Sequence, residues 1–536
     1  MAPFEDGVTA MTLPENRFDV TIICTTDDHQ AEFWMQKLKT GGAGSSDAIF
    51  PLVIAVSEDW AGKGGAGNGL GTLYAWKKAC AYAKSNCEGS PDLEALLKDD
   101  SISAALYHTA GKGTRMAPLP ASENNNKPGV KLPFPKQITV LAAVVRQTGI
   151  YASSRKGRLS VFWGDQVFLP PGKENYLYTP SHHIDIMCTL LGDTAPTAEE
   201  WAEQGLDKYG VIAVLKETGD GKVAEAAQVE KVSHETATKM LGELGTIAQV
   251  GPSLGSFSVS AAILEGLCEE YSAELTKKEG KMDTDPHFWM PLTLPEASYI
   301  QLMSQKDVDA ETSKGHYQRM KAFCDRFQKA NEGSTMGLFG AVNVGKDACW
   351  WDYGQLKLYS KNSLLLLDDK NPESMLLRKF LDIKTEPQSG SDGDVTYEHS
   401  YSFDCKVLTG SVKDSVLSYV TAKEINADGA IIVNCVAPKI TAGKGAILYN
   451  IIGDKEIVAE EGKVMVAVGN EDGSAMEICS RMDLDGGKVW KEVVEGNPLS
   501  FEQVRNNNMD ANITLVDLKR RELYAAVTEK IFETSS

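Results

Sequence analysis

One unit repeats through the first 165 residues: a short apolar strand, a polar or glycine-rich loop, then a stretch of helical period. FDVTIICT (18–25) is β-branched and apolar and runs into polar TDDHQ, with a helical pattern over AEFWMQKLK (31–39). FPLVIAV (50–56) leads into a glycine-rich stretch at 62–71 and then helical TLYAWKKACAYAK. SAALYHTAG (103–111) passes from strand to glycine loop, and LSVFWGD (159–165) ends in an acid. Short apolar strands alternating with helices predict an α/β fold with a largely parallel sheet. In such sheets ligands bind beyond the carboxyl ends of the strands, where both glycine loops and Asp165 fall.

The pattern continues through YGVIAVL (209–215) and LGSFSVSAAILEGL (254–267) and fades after about residue 380. The polar run TEPQSGSDGD (385–394) reads as a linker or exposed loop. Beyond it, AIIVNCVAPKI, AGKGAILYNIIGDKEIV and EEGKVMVAVG are short β-rich runs punctuated by glycine, until a helical period returns over 515–532. This texture fits a β-helix or β-sandwich module, without a strict six-residue repeat. The expected division is residues 1–384 and residues 395–536.

Composition excludes several classes. Hydrophobic residues at 42% and charged residues at 24% are those of a folded chain, and no apolar run approaches ~20 residues. The net charge of −20 gives no general attraction for nucleic acid or anionic lipid, so neither is an expected partner. An anionic ligand would need positive charge concentrated locally. Ten cysteines from Cys24 to Cys479, with no CxxC, read as reduced buried thiols. The N-terminus has no basic region followed by an apolar one, and the expected location is cytoplasmic.

The segment HTAGKGTRMAPLP (108–120) carries the strongest local chemistry. Gly111 and Gly113 let the backbone approach a ligand, Thr114 and exposed amides can hold phosphate oxygens, and Arg115 adds fixed charge. Lys127-Pro128 follows twelve residues after Arg115. AGKGTRMAPL resembles the GGxGTRLxPL signature of the sugar-1-phosphate nucleotidyltransferases, and Lys127-Pro128 resembles their downstream KP. Gly164-Asp165 resembles the GD that supplies one metal-binding aspartate. Glu230-Lys231 resembles the EK that meets the sugar phosphate. Trp351-Asp352-Tyr353-Gly354 resembles the WxDxG motif with the second metal aspartate. Four motifs in order over about 250 residues are far more specific than any one. The segments 18–39, 57–76 and 106–116 are similar to the opening of the L-fucose-1-phosphate guanylyltransferase branch.

The resemblance implies a Rossmann-like catalytic domain with a mixed central sheet, followed by a β-helix-like domain. It implies a reaction of an NTP with a sugar-1-phosphate, giving an NDP-sugar and pyrophosphate. GDP-fucose is the leading product, UDP-glucose or another hexose product its rival, and a homo-oligomer through the C-terminal domain follows by analogy. Asp165 and Asp352 would hold Mg2+. Arg115 would stabilise the β- and γ-phosphates. Ala110, Gly111, Lys112, Gly113 and Thr114 would cradle the nucleotide, and Glu230 and Lys231 would bind the sugar phosphate. The sequence departs from the signature in three places. Ala110 replaces its first glycine, Gln355 stands where many relatives have threonine, and the long loop after Arg115 leaves either Lys127 or Lys131 for the lysine role. Nucleotidyl transfer brings two anions together, so positioning and charge neutralisation supply most of the catalysis, and carboxylates with Mg2+ suit it.

Two other classes compete. Gly62, Gly64 and Gly67 form a literal GxGxxG, the mark of an NAD(P) oxidoreductase, but SEDW separates it from its strand and no ribose-binding acid follows. Gly67, Gly69, Gly71 and Thr72 are instead expected to wall the nucleotide pocket. A non-catalytic nucleotide-sugar-binding regulatory relative is the other alternative, against which Arg115, Asp165 and Asp352 stand. His182-His183 with Asp185 reads as a pocket edge or plain structure, since adjacent strand residues face opposite ways. Asp283 and Asp285 read as sugar-pocket lining or turn caps.

Overall fold

The computed structural model describes residues 2–13, 15–40, 51–60, 65–109, 111–216 and 223–533. The chain is α/β with mixed sheets. The strands β1 (Val20–Thr25), β2 (Leu52–Ser57), β3 (Ala104–His108) and β4 (Arg158–Trp163) are parallel neighbours in the order β4-β3-β1-β2. Next come β5 (Gln166–Leu169), β6 (His182–Cys188), β7 (Gly210–Leu215), β8 (Ala226–Glu230), β9 (Ile247–Ser260), β10 (Gly337–Asn343) and β11 (Cys349–Asp352). The central sheet runs β10-β6-β9-β4-β3-β1-β2, with β9 antiparallel to both β4 and β6. β9 is long enough to leave the sheet at its N-terminal half, where it pairs with β7, which pairs in turn with β8.

Burial on both faces explains the apolar strands. Val20, Ile22 and Leu106 pack into a core with Leu73, Trp76 and Leu264, from the helices Gly67–Asn86 and Ala261–Glu270. Ile23, Tyr107 and Phe162 face a second core with Trp34 and Val144, from the helices Asp28–Thr40 and Val140–Thr148. One expectation is corrected here: Gly67–Gly71 are not loop but the first turn of a 20-residue helix. The run 254–267 is strand to Ser260, where the Ser260 hydroxyl caps the helix that follows.

The C-terminal sheet starts within the expected linker. β12 (Gln388–Asp392) is exposed at every residue yet forms a ladder with β13 (Asp394–Phe403), because the glycines at 390 and 393 turn the polar run back on itself. β14 (Lys406–Lys413), β15 (Val416–Asp428), β16 (Ile431–Ala442), β17 (Ile447–Tyr449), β18 (Ile457–Ala459) and β19 (Lys463–Gly469) continue it in parallel, and β20 (Ala475–Arg481) closes it antiparallel. Successive strands register Val416↔Ile431, Ile431↔Ile447 and Ile447↔Val464. One face, with Leu417, Ile432 and Leu448, fills the interior of this sheet. The other face, with Ile431, Val433, Ile447 and Val464, joins the core beneath the helices of the N-terminal part. The two parts therefore share one apolar core. The helix Ile513–Glu533 packs Val527 and Ile531 against Val436 of β16.

No helix among the described residues is long and apolar enough to cross a membrane. None of the ten cysteines forms a disulfide.

Candidate active site

The site forms where β4 ends. The Gly164 amide donates to the carbonyl of His108 at 3.4 Å, which sets Asp165 beyond the end of β3. The chain then turns into β5, which pairs antiparallel with β11, so that Asp352 stands opposite Gln166. The Tyr353 amide donates to the Asp165 carbonyl at 2.9 Å, and the Gly354 amide to Asp352 Oδ1 at 2.6 Å. A two-stranded ladder thus joins two acids far apart in sequence. Residue 354 must be glycine: a Cβ there would stand 2.9 Å from both Asp165 Oδ2 and Asp352 Oδ1.

Positive charge meets the carboxylates from the loop after β3. Lys127 Nζ forms an ion pair with Asp165 Oδ2, and both side chains are 19% exposed. Burial pushes the Asp352 carboxyl above its ordinary pKa, and the charge of Asp165 pushes the same way. The Gly354 amide, Arg115 and Lys127 oppose that rise. Arg115 is itself exposed.

The Gly113 backbone is left-handed at φ +63, and a Cβ would lie 2.9 Å from Pro120 and 3.3 Å from the Lys127 side chain, so the loop folds directly over that lysine. Thr114–Met116 form a short 3-10 turn. Among the described residues the amides of Lys112, Gly113 and Thr114 have no backbone partner, while Gly111 and Lys112 lie exposed. Unpaired amides next to a cation are what a phosphate needs. Ala110, Gly62 and Gly64 lie outside the described residues.

Lys131 is elsewhere. Its Nζ bonds Glu123 Oε1 at 2.5 Å, both side chains 5% exposed, and Glu123 also accepts from Tyr449 at 2.6 Å and Asn450 at 2.9 Å. Arg520, from the terminal helix, approaches Glu123 Oε2 at 3.5 Å and donates to the Ser122 carbonyl at 2.6 Å. Burial alone would raise the Glu123 pKa, but Lys131 and Arg520 hold it below the usual carboxylate range. This cluster ties the helix Leu119–Ser122 to the C-terminal sheet and leaves Lys127 as the lysine at the carboxylates.

The other glycine segment meets the chain's own residues. The amides of Gly69 and Leu70 donate to the Met282 carbonyl at 2.9 and 3.3 Å, and the Asn68 amide to Asp283 Oδ1 at 3.1 Å. Side chains on Gly67 or Gly69 would collide with Met282. Thr72 is buried and bonds both the Asn68 carbonyl and His108 Nε2. Gly71 lies against Glu58, whose carboxylate accepts from the Ala66 amide at 2.6 Å. Glu58 escaped the sequence reading because it sits in SEDW, which reads only as an interruption; burial raises its pKa.

Glu230 ends β8 and binds Lys306 at 2.6 Å and Lys231 at 3.3 Å, with Lys231 62% exposed. No ion pair or hydrogen bond joins them to Asp165 or Asp352 among the described residues. His182 and His183 are structural. The first reaches Asp185 at 3.3 Å and the second Ser260 at 2.8 Å, on opposite faces of β6.

No family model matches the chain, and no curated protein does. Among solved structures, the inositol-1-phosphate CTP transferase from T. maritima aligns over 68% of this chain and 96% of its own, at 10% identity and a TM-score of 0.19. A superposition that loose carries no argument about fold or function.

Proposed function

We propose that this chain is a sugar-1-phosphate nucleotidyltransferase, which forms an NDP-sugar and pyrophosphate from an NTP and a sugar-1-phosphate. The observation behind this reading is the convergence of Asp165 and Asp352 over Gly354, beside Lys127, Arg115 and the unpaired amides of residues 112–114. An oxygen-only pair of carboxylates fits Mg2+, which is held by one or two acids together with substrate phosphates. Bound between Asp165 and Asp352, Mg2+ would neutralise charge on the reacting phosphate.

The chain's own residues do the rest. The amides of Lys112, Gly113 and Thr114 hold phosphate oxygens of the NTP. Lys127 pairs with Asp165, and on substrate binding it exchanges that partner for the α-phosphate. A phosphate oxygen of the sugar-1-phosphate attacks the α-phosphorus, the bond from the α-phosphorus to the bridging β-oxygen breaks, and pyrophosphate leaves. Arg115 stabilises the charge that departs. Residues 1–384 carry this chemistry. Residues 395–536 we read as a β-helix that braces it, since its strands advance in parallel by near-constant steps and Gly486 and Gly487 pack on Thr114. GDP-fucose is the leading product, with UDP-glucose or another hexose product next.

The test is a matrix of four NTPs against several sugar-1-phosphates with Mg2+, read by pyrophosphate release. Release with one pair, lost in a folded Asp165→Asn variant, supports the reading. No release with any pair overturns it.

A further inference from the structure

The end of the central sheet far from the carboxylate pair buries more positive charge than it neutralises. Arg158 opens β4, His182 opens β6, and Ser260, opposite Arg158, closes β9. β4 and β6 both run antiparallel to β9, so Arg158 and His182 lie together at the strand starts, whereas Asp165 lies past the end of β4. From Arg158 to Asp165 the chain advances roughly 20 Å at the rise of a strand.

One carboxylate serves this end. Asp185 is 0% exposed and accepts from Arg158 Nη2 at 3.1 Å and from the His182 amide at 3.2 Å, with His182 Nδ1 3.3 Å from its Oδ1. Arg158 completes its bonding with the carbonyls of His182 and Ser258 and the Ser258 hydroxyl.

Arg155 has no such partner. It follows the helical turn Gly149–Ser154 and is 2% exposed. All its hydrogen bonds leave from one nitrogen: Nη1 donates to the Ser154 carbonyl at 3.2 Å, to the Ser154 hydroxyl at 2.9 Å and to the Tyr178 carbonyl at 2.6 Å. Among the described residues Nε and Nη2 bond nothing, and no carboxylate pairs with this guanidinium. Burial, and then the charge of Arg158, lower its pKa to about 10, so it stays charged at neutral pH. A buried cation without a counter-charge is costly to keep.

The unbonded edge is the one that recognises oxyanions. The N–H of Nε and the adjacent N–H of Nη2 are parallel and grip two oxygens of an anion side-on. Two hydroxyls stand close by. The exposed Tyr178 hydroxyl meets Ser181 Oγ at 3.0 Å, and Ser181 Oγ reaches His182 Nδ1 at 3.2 Å. Because the Tyr178 carbonyl holds Nη1, the segment 178–181 crosses Arg155, and the guanidinium sits one side chain below the surface. Hydroxyls beside a fork suit a tetrahedral anion, which has oxygens left over for them; the fork alone fills a planar carboxylate.

We propose that Arg155, with Ser181 and Tyr178, binds a phosphate group at the strand starts, in a second anion site apart from the carboxylate pair. The phosphate supplies the negative charge that Asp185 alone cannot give to two buried arginines. A net charge of −20 offers no general attraction for an anion, so selection rests on this local geometry. The site is independent of the transferase reading.

Inorganic phosphate, methyl phosphate and acetate are titrated calorimetrically at constant ionic strength into the full chain and into Arg155→Met, Arg155→Lys and Ser181→Ala. Every chain also carries Arg115→Met and Lys127→Met, which remove binding at the glycine loop. We expect one phosphate to bind the background chain at least tenfold tighter than acetate, and the melting temperature to rise with its concentration. Arg155→Met loses both effects. Arg155→Lys keeps the charge without the fork and binds at least tenfold more weakly. Ser181→Ala binds several-fold more weakly, and it carries the test if the Arg155 variants fail to fold. The tighter of the two phosphates names the source, free or esterified, and either upholds the site. The proposal is overturned if the background chain binds no phosphate, if acetate binds as tightly, or if the folded variants bind phosphate as the background chain does. Pyrophosphate release from Arg155→Met in an otherwise unaltered chain stays at the parent's level, so failure of the transferase reading and failure of this site are read separately.

Discussion

The sharpest consequence of the structure concerns two lysines four residues apart. Replacing Lys131 with Met removes the closest cation from Glu123, a carboxylate 5% exposed, while Tyr449, Asn450 and Arg520 remain at 2.6, 2.9 and 3.5 Å. Breaking a buried pair on one side costs about 3–5 kcal/mol, and the surviving partners put this case at the low end, about 3 kcal/mol. For 536 residues melting as one unit, at about 2.1 cal/mol/K per residue, the unfolding entropy is about 1.1 kcal/mol/K. The melting temperature should then fall by about 3 °C. Glu123→Gln in the same chain should restore much of the loss, because it removes the stranded charge. Lys127→Met should behave oppositely. Its pair with Asp165 is more exposed, so stability changes by about 1 kcal/mol or less, while turnover falls about 10²–10³-fold. Scanning calorimetry and pyrophosphate release on the three variants decide the matter. If Lys131→Met melts with the parent and is inactive, the reasoning is wrong.

Three further outcomes follow from the same geometry. Asp352→Asn should abolish transfer without lowering the melting temperature, since burial and Asp165 both disfavour the carboxylate there. Gly486→Val should raise KM for the NTP several-fold with little change in sugar phosphate binding, because a Cβ at 486 already stands 2.5 Å from the Thr114 carbonyl and 3.0 Å from Ala117 Cβ. Asp285 has its pKa raised to about 6 by burial and by Glu230, with Lys306 opposing. Between about pH 4 and pH 6 the folded chain therefore holds a proton that the unfolded chain has lost, and stability falls as pH rises through this window. Asp285→Asn should remove that slope and melt higher than the parent at pH 8, by at most about 2–3 kcal/mol in stability; a variant that melts lower at pH 8 would refute the assignment.

Much of the fold was legible because burial writes itself into local pattern. Val20 to Thr25 is apolar at nearly every position because both faces of β1 are covered, and the glycine loops mark strand ends because tight turns need them. Less was legible where a polar residue's partner is distant. The run 385–394 has the composition of a linker, yet its glycines turn it into an exposed hairpin. Gly67 to Gly71 have the composition of a phosphate loop, yet Met282 and Asp283, more than two hundred residues on, occupy the space they leave and let them start a helix.

The sequence by itself determined the alternation of strands and helices, the strand ends at which the candidate residues gather, and Arg115, Asp165 and Asp352 as those candidates. These follow from periodicity and from residue types at turns, which act over a few residues. Only the tertiary structure decided that Asp165 and Asp352 share one glycine, that Lys127 and not Lys131 stands beside them, and that Lys131 braces the C-terminal sheet instead. Which charge neutralises which is set by distance and burial, and both are properties of the packed chain rather than of its local order.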